Sequence, residues 1–427
     1  MKRTLQEWLS WQETLHLSEI DLGLDRIRLV AKQLDILTPD FPVITVAGTN
    51  GKGSTVAFFD AILRAQGYKT GAYTSPHLID YNERIAINGL QVTNEQIIGA
   101  FEEIDTARKA ITEEAVSLTY FEFSTLAAML CFKKQKVDVA LLEVGLGGRL
   151  DAANLWDASL AVITSIGIDH IDWLGDNREI IGTEKSGIMR KSIPVICGDP
   201  NPPQTIKSEA DRIGAKLIQI NTDFSYHSLD KDQPNLWKWK NPVKEFTLNK
   251  PVMAGSFQLN NAATVIAGLD TIQDLLPTTI DAINKGLTTA AVDGRLQILQ
   301  TSPEWLLDVA HNPHAAIQLA NYIRKNPRSG RTYALFSMLK DKDIKQVLTL
   351  MNDVIDEWHI VALKGSRGLT LNMLKQCFTE QSIKTKVISH PGFKEACDSI
   401  KNITKVEDRV VAFGSFLVVS EILEKCN

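Results

Sequence analysis

One lysine among glycines, Gly48-Thr49-Asn50-Gly51-Lys52-Gly53-Ser54, follows the apolar run Val43 to Ala47 and precedes a helical pattern. Strand, glycine turn and helix in that order let backbone N–H groups converge on an anion, with the positive end of the helix behind them. From such a turn Lys52 reaches terminal phosphates, and the Ser54 hydroxyl takes a magnesium ion. The expected guest is a nucleoside triphosphate. The match to G-x-x-x-x-G-K-[ST] is imperfect: Val46 stands where the first glycine belongs, and Gly53 separates Lys52 from Ser54. A glycine turn with a solvated lysine is the alternative reading, and the strand-to-helix context argues against it.

Other polar residues stand where strands are expected to end, the edge at which α/β sheets bind ligands. The strand 69–73 runs into Thr74-Ser75-Pro76-His77, although a turn-forming Ser-Pro accounts for that alone. The apolar strand 137–144 carries Glu143 near its end, beside Gly145-Leu146-Gly147-Gly148-Arg149-Leu150-Asp151-Ala152. A carboxylate near a triphosphate loop suits magnesium, which favours carboxylate, hydroxyl and phosphate oxygens in an octahedron. The strand 160–165 leads to Asp169-His170, then to Glu184-Lys185. A free Lys185 ammonium beside metal ions is repelled, whereas a lysine carbamate is an anionic oxygen ligand.

The elements carrying these residues imply two or three domains in 427 residues. Residues 4–17 read as an amphipathic helix with Leu5, Trp8, Leu9, Leu15 and Leu17 near one side. Asp21-Leu22-Gly23-Leu24 reads as a turn into the next helix, and Gly67 as a left-handed cap for the helix after the phosphate loop. Thr119-Tyr120-Phe121-Glu122 has the form of a capping box. Residues 200–251 read as surface loops and short strands without chemistry, and 256–290 return to a helical pattern. Beyond a hinge at 291–295 the rhythm is βαβα, with strands near 304–309, 331–336, 357–363, 384–388 and 409–413. The expected fold is α/β: a P-loop ATPase domain with a mostly parallel sheet (1–290), then a smaller doubly wound, Rossmann-like domain (296–427). Ends of the latter's strands, at Asp308 to His314 and Gly414-Ser415-Phe416, are expected to face the nucleotide across a cleft.

Composition excludes other classes. A net charge of −5 without a long basic run argues against nucleic acid. The start, from Met1-Lys2-Arg3, turns polar too early for a signal peptide, and no later apolar run is long enough to span a bilayer, so a cytoplasmic protein is expected. A monomer is expected as well, although nothing in the sequence fixes the oligomeric state. The five cysteines (Cys131, Cys197, Cys377, Cys397, Cys426) are scattered singly and read as reduced packing residues.

Taken together, the phosphate loop, Ser75-Pro76-His77-Leu78, Leu142 to Asp151, Asp169-His170, Glu184-Lys185 and Asp308 to Pro313 resemble the folylpolyglutamate synthase and dihydrofolate synthase family of Mur ligases. The likeness spans nearly the whole chain, and the family's loop has the extra glycine seen at Gly53. The resemblance implies that Ser54 and Glu143 hold one magnesium, that Ser75 and His170 hold a second, and that Lys185 is carbamylated. It implies ATP contacts for Asn261, Arg295 and Asp308, and pteroate contacts for Asp21, Leu22, Gly23, Leu24, Thr119, Tyr120, Phe121, Glu122, Leu150, Asp151 and Ala152. His311 and Ser415 match positions that handle the incoming glutamate or complete the site. Leu417 departs from a histidine in a relative, which leaves glutamate contacts there open.

The implied chemistry moves the γ-phosphoryl of ATP onto a carboxylate, giving an acyl phosphate that the amine of L-glutamate attacks. Lys52 and two magnesium ions cancel the charge of two meeting anions, and domain closure is expected to exclude water. The implied substrates are 7,8-dihydropteroate and tetrahydrofolates. A folylpolyglutamate synthase alone, another Mur-type ligase, and a P-loop kinase or ATP-gated binding module are the competing readings.

Overall fold

The computed structural model describes residues 3–16, 18, 20–229, 233–365 and 367–425. Met1, Lys2, Leu17 and Cys426, which enter the sequence reading, lie outside them. The chain divides into two compact units: residues 1–166, 177–252 and 259–291, and residues 167–176, 253–258 and 292–427. The segment holding Asp169 and His170 therefore belongs with the second unit, a grouping that a single cut at 291–295 does not give.

The first unit is built on an eight-stranded sheet. Its strands are β1 (Val43–Ala47), β2 (Thr70–Tyr73), β3 (Ile85–Ile87), β4 (Leu90–Gln91), β5 (Val139–Glu143), β6 (Leu160–Ile163), β7 (Pro194–Cys197) and β8 (Lys216–Gln219). Their order is β4-β3-β2-β5-β1-β6-β7-β8, parallel from β2 to β8, with β3 and β4 antiparallel at one edge. β1, β5 and β6 are buried along their whole length, which is why each reads as an unbroken apolar run rather than an alternation. Register does the positioning. Val46 pairs with Glu143, Ala47 with Ile163 and Tyr73 with Leu142, so the loops after β1, β5, β6 and β2 leave the same edge side by side.

Helix ends follow the sequence cues. The helix Lys52–Gln66 stops at Gly67, whose φ of 108° lets its N–H reach the carbonyls of Leu63 and Arg64. Thr119 and Glu122 form both halves of a capping box on the helix Tyr120–Gln135. The first helix is Leu5–Leu15, also with a capping box, from Thr4 and Glu7.

Residues 200–251 correct the sequence reading. They contain the helix Gln204–Ile213 and an antiparallel three-stranded sheet, β9 (Ser225–Ser228), β10 (Leu236–Lys240) and β11 (Glu245–Asn249). Trp237 and Trp239 are fully buried, and Trp239 stacks on Phe246 at 5.4 Å while its indole N–H donates to Ala263 O at 3.1 Å. The lysines alternating with them gave the stretch its surface character, whereas period two puts both tryptophans on one inward face.

The second unit has a six-stranded sheet, β12 (Gln297–Thr301), β13 (Glu304–Asp308), β14 (Thr332–Phe336), β15 (Glu357–Val361), β16 (Lys386–His390) and β17 (Arg409–Phe413), in the order β12-β13-β17-β14-β15-β16. All pairs are parallel except β12 with β13. β12, mostly polar and at the edge, escaped the sequence reading. Phe336, Trp358 and Phe413 centre a core of tilted and edge-on rings.

One cysteine departs from expectation. Cys131, Cys197 and Cys377 are free, but Cys397 is disulfide-bonded. Single spacing in sequence does not forbid a bridge that the fold closes. Among the described residues no helix is long and apolar enough to cross a membrane.

Candidate active site

In the first unit the phosphate loop is held from below by β6. Thr49 N–H donates to Ser165 O at 2.6 Å, the Thr164 hydroxyl donates to Asn50 O at 2.6 Å, and the Ser165 hydroxyl to the same carbonyl at 3.0 Å. Gly48 has φ 153°, and a Cβ there would lie 1.9 Å from Thr164 Oγ1. Gly51, at φ 87°, presents its open side to Asn261, whose Oδ1 would be 2.7 Å from a Cβ. Asn261 is thereby brought against the loop. Lys52 Nζ donates back to Gly48 O at 3.1 Å and Thr49 O at 3.3 Å, folded over the turn.

Glu143 is buried beside this loop, its Oε2 3.6 Å from where a Gly53 Cβ would stand, and it accepts from Ser75 N–H at 3.3 Å. Ser54, in the first turn of the helix, is also buried. One carboxylate with neighbouring hydroxyls fits an ion that keeps waters and phosphate oxygens rather than taking a full protein cage. Among the described residues no group of three or more His, Cys, Asp or Glu side chains is arranged to hold a metal ion.

The loop after β5 is stapled to the helix Arg178–Ser186. Arg149 N–H donates to Glu184 O at 2.9 Å, and its guanidinium takes the Glu184 carboxylate at 2.9 and 3.1 Å. A Cβ on Gly148 would meet Glu184 O at 2.8 Å and Lys185 O at 3.1 Å, so only glycine allows this approach. Lys185, on that helix, is 3% exposed. Asp151 is buried, accepting from Leu146 N–H at 2.8 Å and Ala153 N–H at 2.9 Å. Burial pushes its carboxyl up to about 6, against those backbone N–H groups and the Lys52 charge. Leu150 and Ala152 flank it.

Two further segments singled out by the resemblance meet through Arg26, which the sequence reading passed over. Its guanidinium bonds Asp21 Oδ2 at 2.5 Å and Glu122 at 3.0 Å, joining the stretch Asp21, Leu22, Gly23, Leu24 to Thr119, Tyr120, Phe121 and Glu122. Arginine matches two carboxylates with one planar fork, a signal visible only once both are in space.

The second unit gathers the remaining residues around Asp169. Its carboxylate receives Lys342 Nζ at 2.6 Å and Asn312 Nδ2 at 2.9 Å, and His311 Nε2 lies 3.5 Å away. Burial alone would raise the Asp169 carboxyl. The His311 hydrogen bond and the charges of His311, Lys342 and His170 outweigh it and hold the group well below the usual range. His170 takes the left-handed conformation, φ 51°, and its Nε2 lies 3.1 Å from Lys342 Nζ. His311 Nδ1 donates to Val309 O at 2.8 Å, fixing the ring. Asp308 accepts from Leu296 N–H at 2.9 Å and Ala310 N–H at 2.8 Å; burial raises its carboxyl, opposed by the charge of Arg295. The Arg295 guanidinium lies 5.3 Å over the Phe416 ring, next to buried Ser415. Leu417 is 45% exposed. Lys342 and Asn312 carried no assigned role in the sequence reading. Ser75 and His170, expected to share an ion, fall in different units.

Two family models match the chain: the Mur ligase middle domain over residues 46–269 and the Mur ligase glutamate ligase domain over residues 294–416. A dihydrofolate synthase/folylpolyglutamate synthase of Escherichia coli K12 is 42% identical over 421 residues, covering 98% of this chain and 95% of its own. A solved Escherichia coli FolC in complex with DHPP and ADP superposes with a TM-score of 0.91 at 41% identity, over 99% of this chain and 97% of its own. A solved bifunctional folylpolyglutamate synthase/dihydrofolate synthase with Mn, AMPPNP and L-glutamate bound gives 0.89 at 38% identity, over 99% and 98%. Phosphate loop, buried carboxylate and full-length likeness converge: this chain belongs to the dihydrofolate synthase/folylpolyglutamate synthase family of Mur ligases.

Proposed function

We propose that this chain is an ATP-dependent amide ligase that joins L-glutamate to 7,8-dihydropteroate, making dihydrofolate, and then adds glutamates to tetrahydrofolates. The observation that carries this is the phosphate loop set against buried Glu143, in a chain whose full-length relatives are solved with nucleotide, metal ion, DHPP or glutamate. A carboxylate is a poor electrophile, so the γ-phosphoryl of ATP is moved to it first. The amine of glutamate then attacks the acyl phosphate, the amide forms, and ADP and phosphate leave. Lys52, freed from the Gly48 and Thr49 carbonyls, turns to the terminal phosphates. The Gly51 to Ser54 N–H groups hold them in place. A magnesium ion held by Ser54 and Glu143 would supply positive charge that lowers the repulsion between the two anions.

Ser54 and Glu143 are assigned to one magnesium, Ser75 and His170 to a second, and Lys185 is assigned as carbamylated. Asn261, Arg295 and Asp308 are assigned to ATP, and His311 and Ser415 to the glutamate step. A cytoplasmic site of action accords with folate substrates. The deciding experiment incubates purified chain with dihydropteroate, ATP and glutamate. ADP release with a product heavier by one glutamyl unit is expected, and neither should appear with Glu143→Gln at an unchanged melting temperature. A wild type that turns over tetrahydrofolate but not dihydropteroate would remove the first activity.

A further inference from the structure

Among the described residues, Arg84 in the first unit is a cation without a counter-charge. It is 8% exposed, and among the described residues it makes no ion pair. Buried charges are ordinarily paired, because a lone one loses its hydration and gains nothing in return. The carboxylate next to it in sequence, Glu83, is spent elsewhere: it accepts from the N–H groups of Leu78 at 2.7 Å, Ile79 at 2.8 Å and Asp80 at 2.7 Å. Among the described residues the guanidinium makes one hydrogen bond, from Nε to His77 Nδ1 at 2.8 Å. The Arg84 Cζ also lies 5.5 Å over the ring of Tyr81 and 5.4 Å over that of Tyr120, which stand edge-on to each other at 5.9 Å.

Three features give the ligand its chemistry. The unspent N–H groups of the guanidinium form a flat fork that matches a carboxylate. Because His77 Nδ1 accepts from Arg84, its ring proton sits on Nε2, which adds a donor beside the fork. The tyrosines supply aromatic faces at the same spot. The strand pair ties this cluster to the site, since Thr74 N–H donates to Arg84 O and the next residue, Ser75, donates its N–H to Glu143.

We infer that Arg84 and His77 hold the carboxylate of an aryl carboxylic acid, which, resting on the function proposed above, is the p-aminobenzoyl carboxylate of dihydropteroate. Arg84 binds it through charge-assisted hydrogen bonds, His77 orients it through Nε2–H, and Tyr120 lines the ring.

The test compares equilibrium binding of dihydropteroate and of its neutral carboxamide to the intact chain holding a non-hydrolysable ATP analogue. Wild type should prefer the carboxylate by about tenfold or more, the worth of one charge-assisted hydrogen bond. Arg84→Gln should erase that preference by weakening the carboxylate alone, Arg84→Lys should restore part of it, and His77→Phe should lose less than Arg84→Gln. Equal affinity of wild type for the two ligands overturns the inference without any variant. So does an Arg84→Gln chain, folded by its melting curve, that keeps the preference or loses both ligands equally. Turnover is a separate readout: a wild type that prefers the carboxylate but releases no ADP would sink the ligase reading and leave this site standing.

Discussion

The phosphate loop of the first unit and the Asp169 cluster of the second are made of opposite materials. The loop is backbone: glycines whose missing Cβ atoms admit Thr164 and Asn261, with carbonyls of Asn50 and Ser165 fixing its path. The cluster is side chain: one buried carboxylate gathering Lys342, Asn312 and His311 from two places in the sequence. A backbone site tolerates almost no added volume but is indifferent to pH. A side-chain site tolerates shape changes better and depends on keeping every charge matched.

The hardest blow to this contrast would be a benign Gly48→Ala. With φ at 153° and a Cβ due 1.9 Å from Thr164 Oγ1, that change should cost about 3 kcal/mol or more and abolish nucleotide binding, read by melting and by titration with an ATP analogue. Lys342→Met comes next. It strips the closest cation from buried Asp169 and should cost about 3 kcal/mol at neutral pH. The deficit should shrink as pH falls through the variant's raised Asp169 pKa, because a protonated carboxyl no longer needs the lysine. A deficit independent of pH would argue for packing instead.

Asp151 and His359 should pull on stability in opposite directions between pH 4 and 6, by about 2 kcal/mol each after allowing for relaxation. The folded Asp151 carboxyl, near 6 against 3.8 in the unfolded chain, binds the extra proton, so its contribution falls as pH rises through that window, against the opposite slope of His77 in the same unit, which burial pushes down to about 4. In the second unit His359, stacked on His390 with Nδ1 2.8 Å from its Nε2, is pushed down to about 4 by burial and by the His390 charge. Unfolded, it takes a proton below 6.5, so the second unit gains stability as pH rises from 4 to 6.5. Melting of Asp151→Asn and of His359→Gln against wild type across that window reads the two contributions, and parallel slopes would erase the distinction. The smallest effect is expected from Thr119→Ala, which removes one half of a capping box and should cost about 1 kcal/mol, seen as fraying at Tyr120.

Much of this was legible in one dimension wherever the cause is local. Thr119 with Glu122 needs only three residues of spacing, Gly67 only its own freedom at positive φ, and the strands β1, β5 and β6 only an uninterrupted apolar run. Trp237 and Trp239 were misread because their neighbours are lysines, and what buries them is a partner strand and Ala263, outside any window around them.

The amino-acid order by itself determined the glycine loop, its lysine, the helix caps and the strands β1, β2, β5, β6 and β13 to β17, because each depends on dihedral preference or apolar period over a few residues. Only the tertiary structure decided that Glu143 lies against Gly53, that Arg26 joins Asp21 to Glu122, that Lys342 neutralises Asp169, and that Arg84 has no carboxylate partner among the described residues. Charges meet across strand register and chain reversals, and their energies are set by burial, which no stretch of sequence specifies alone.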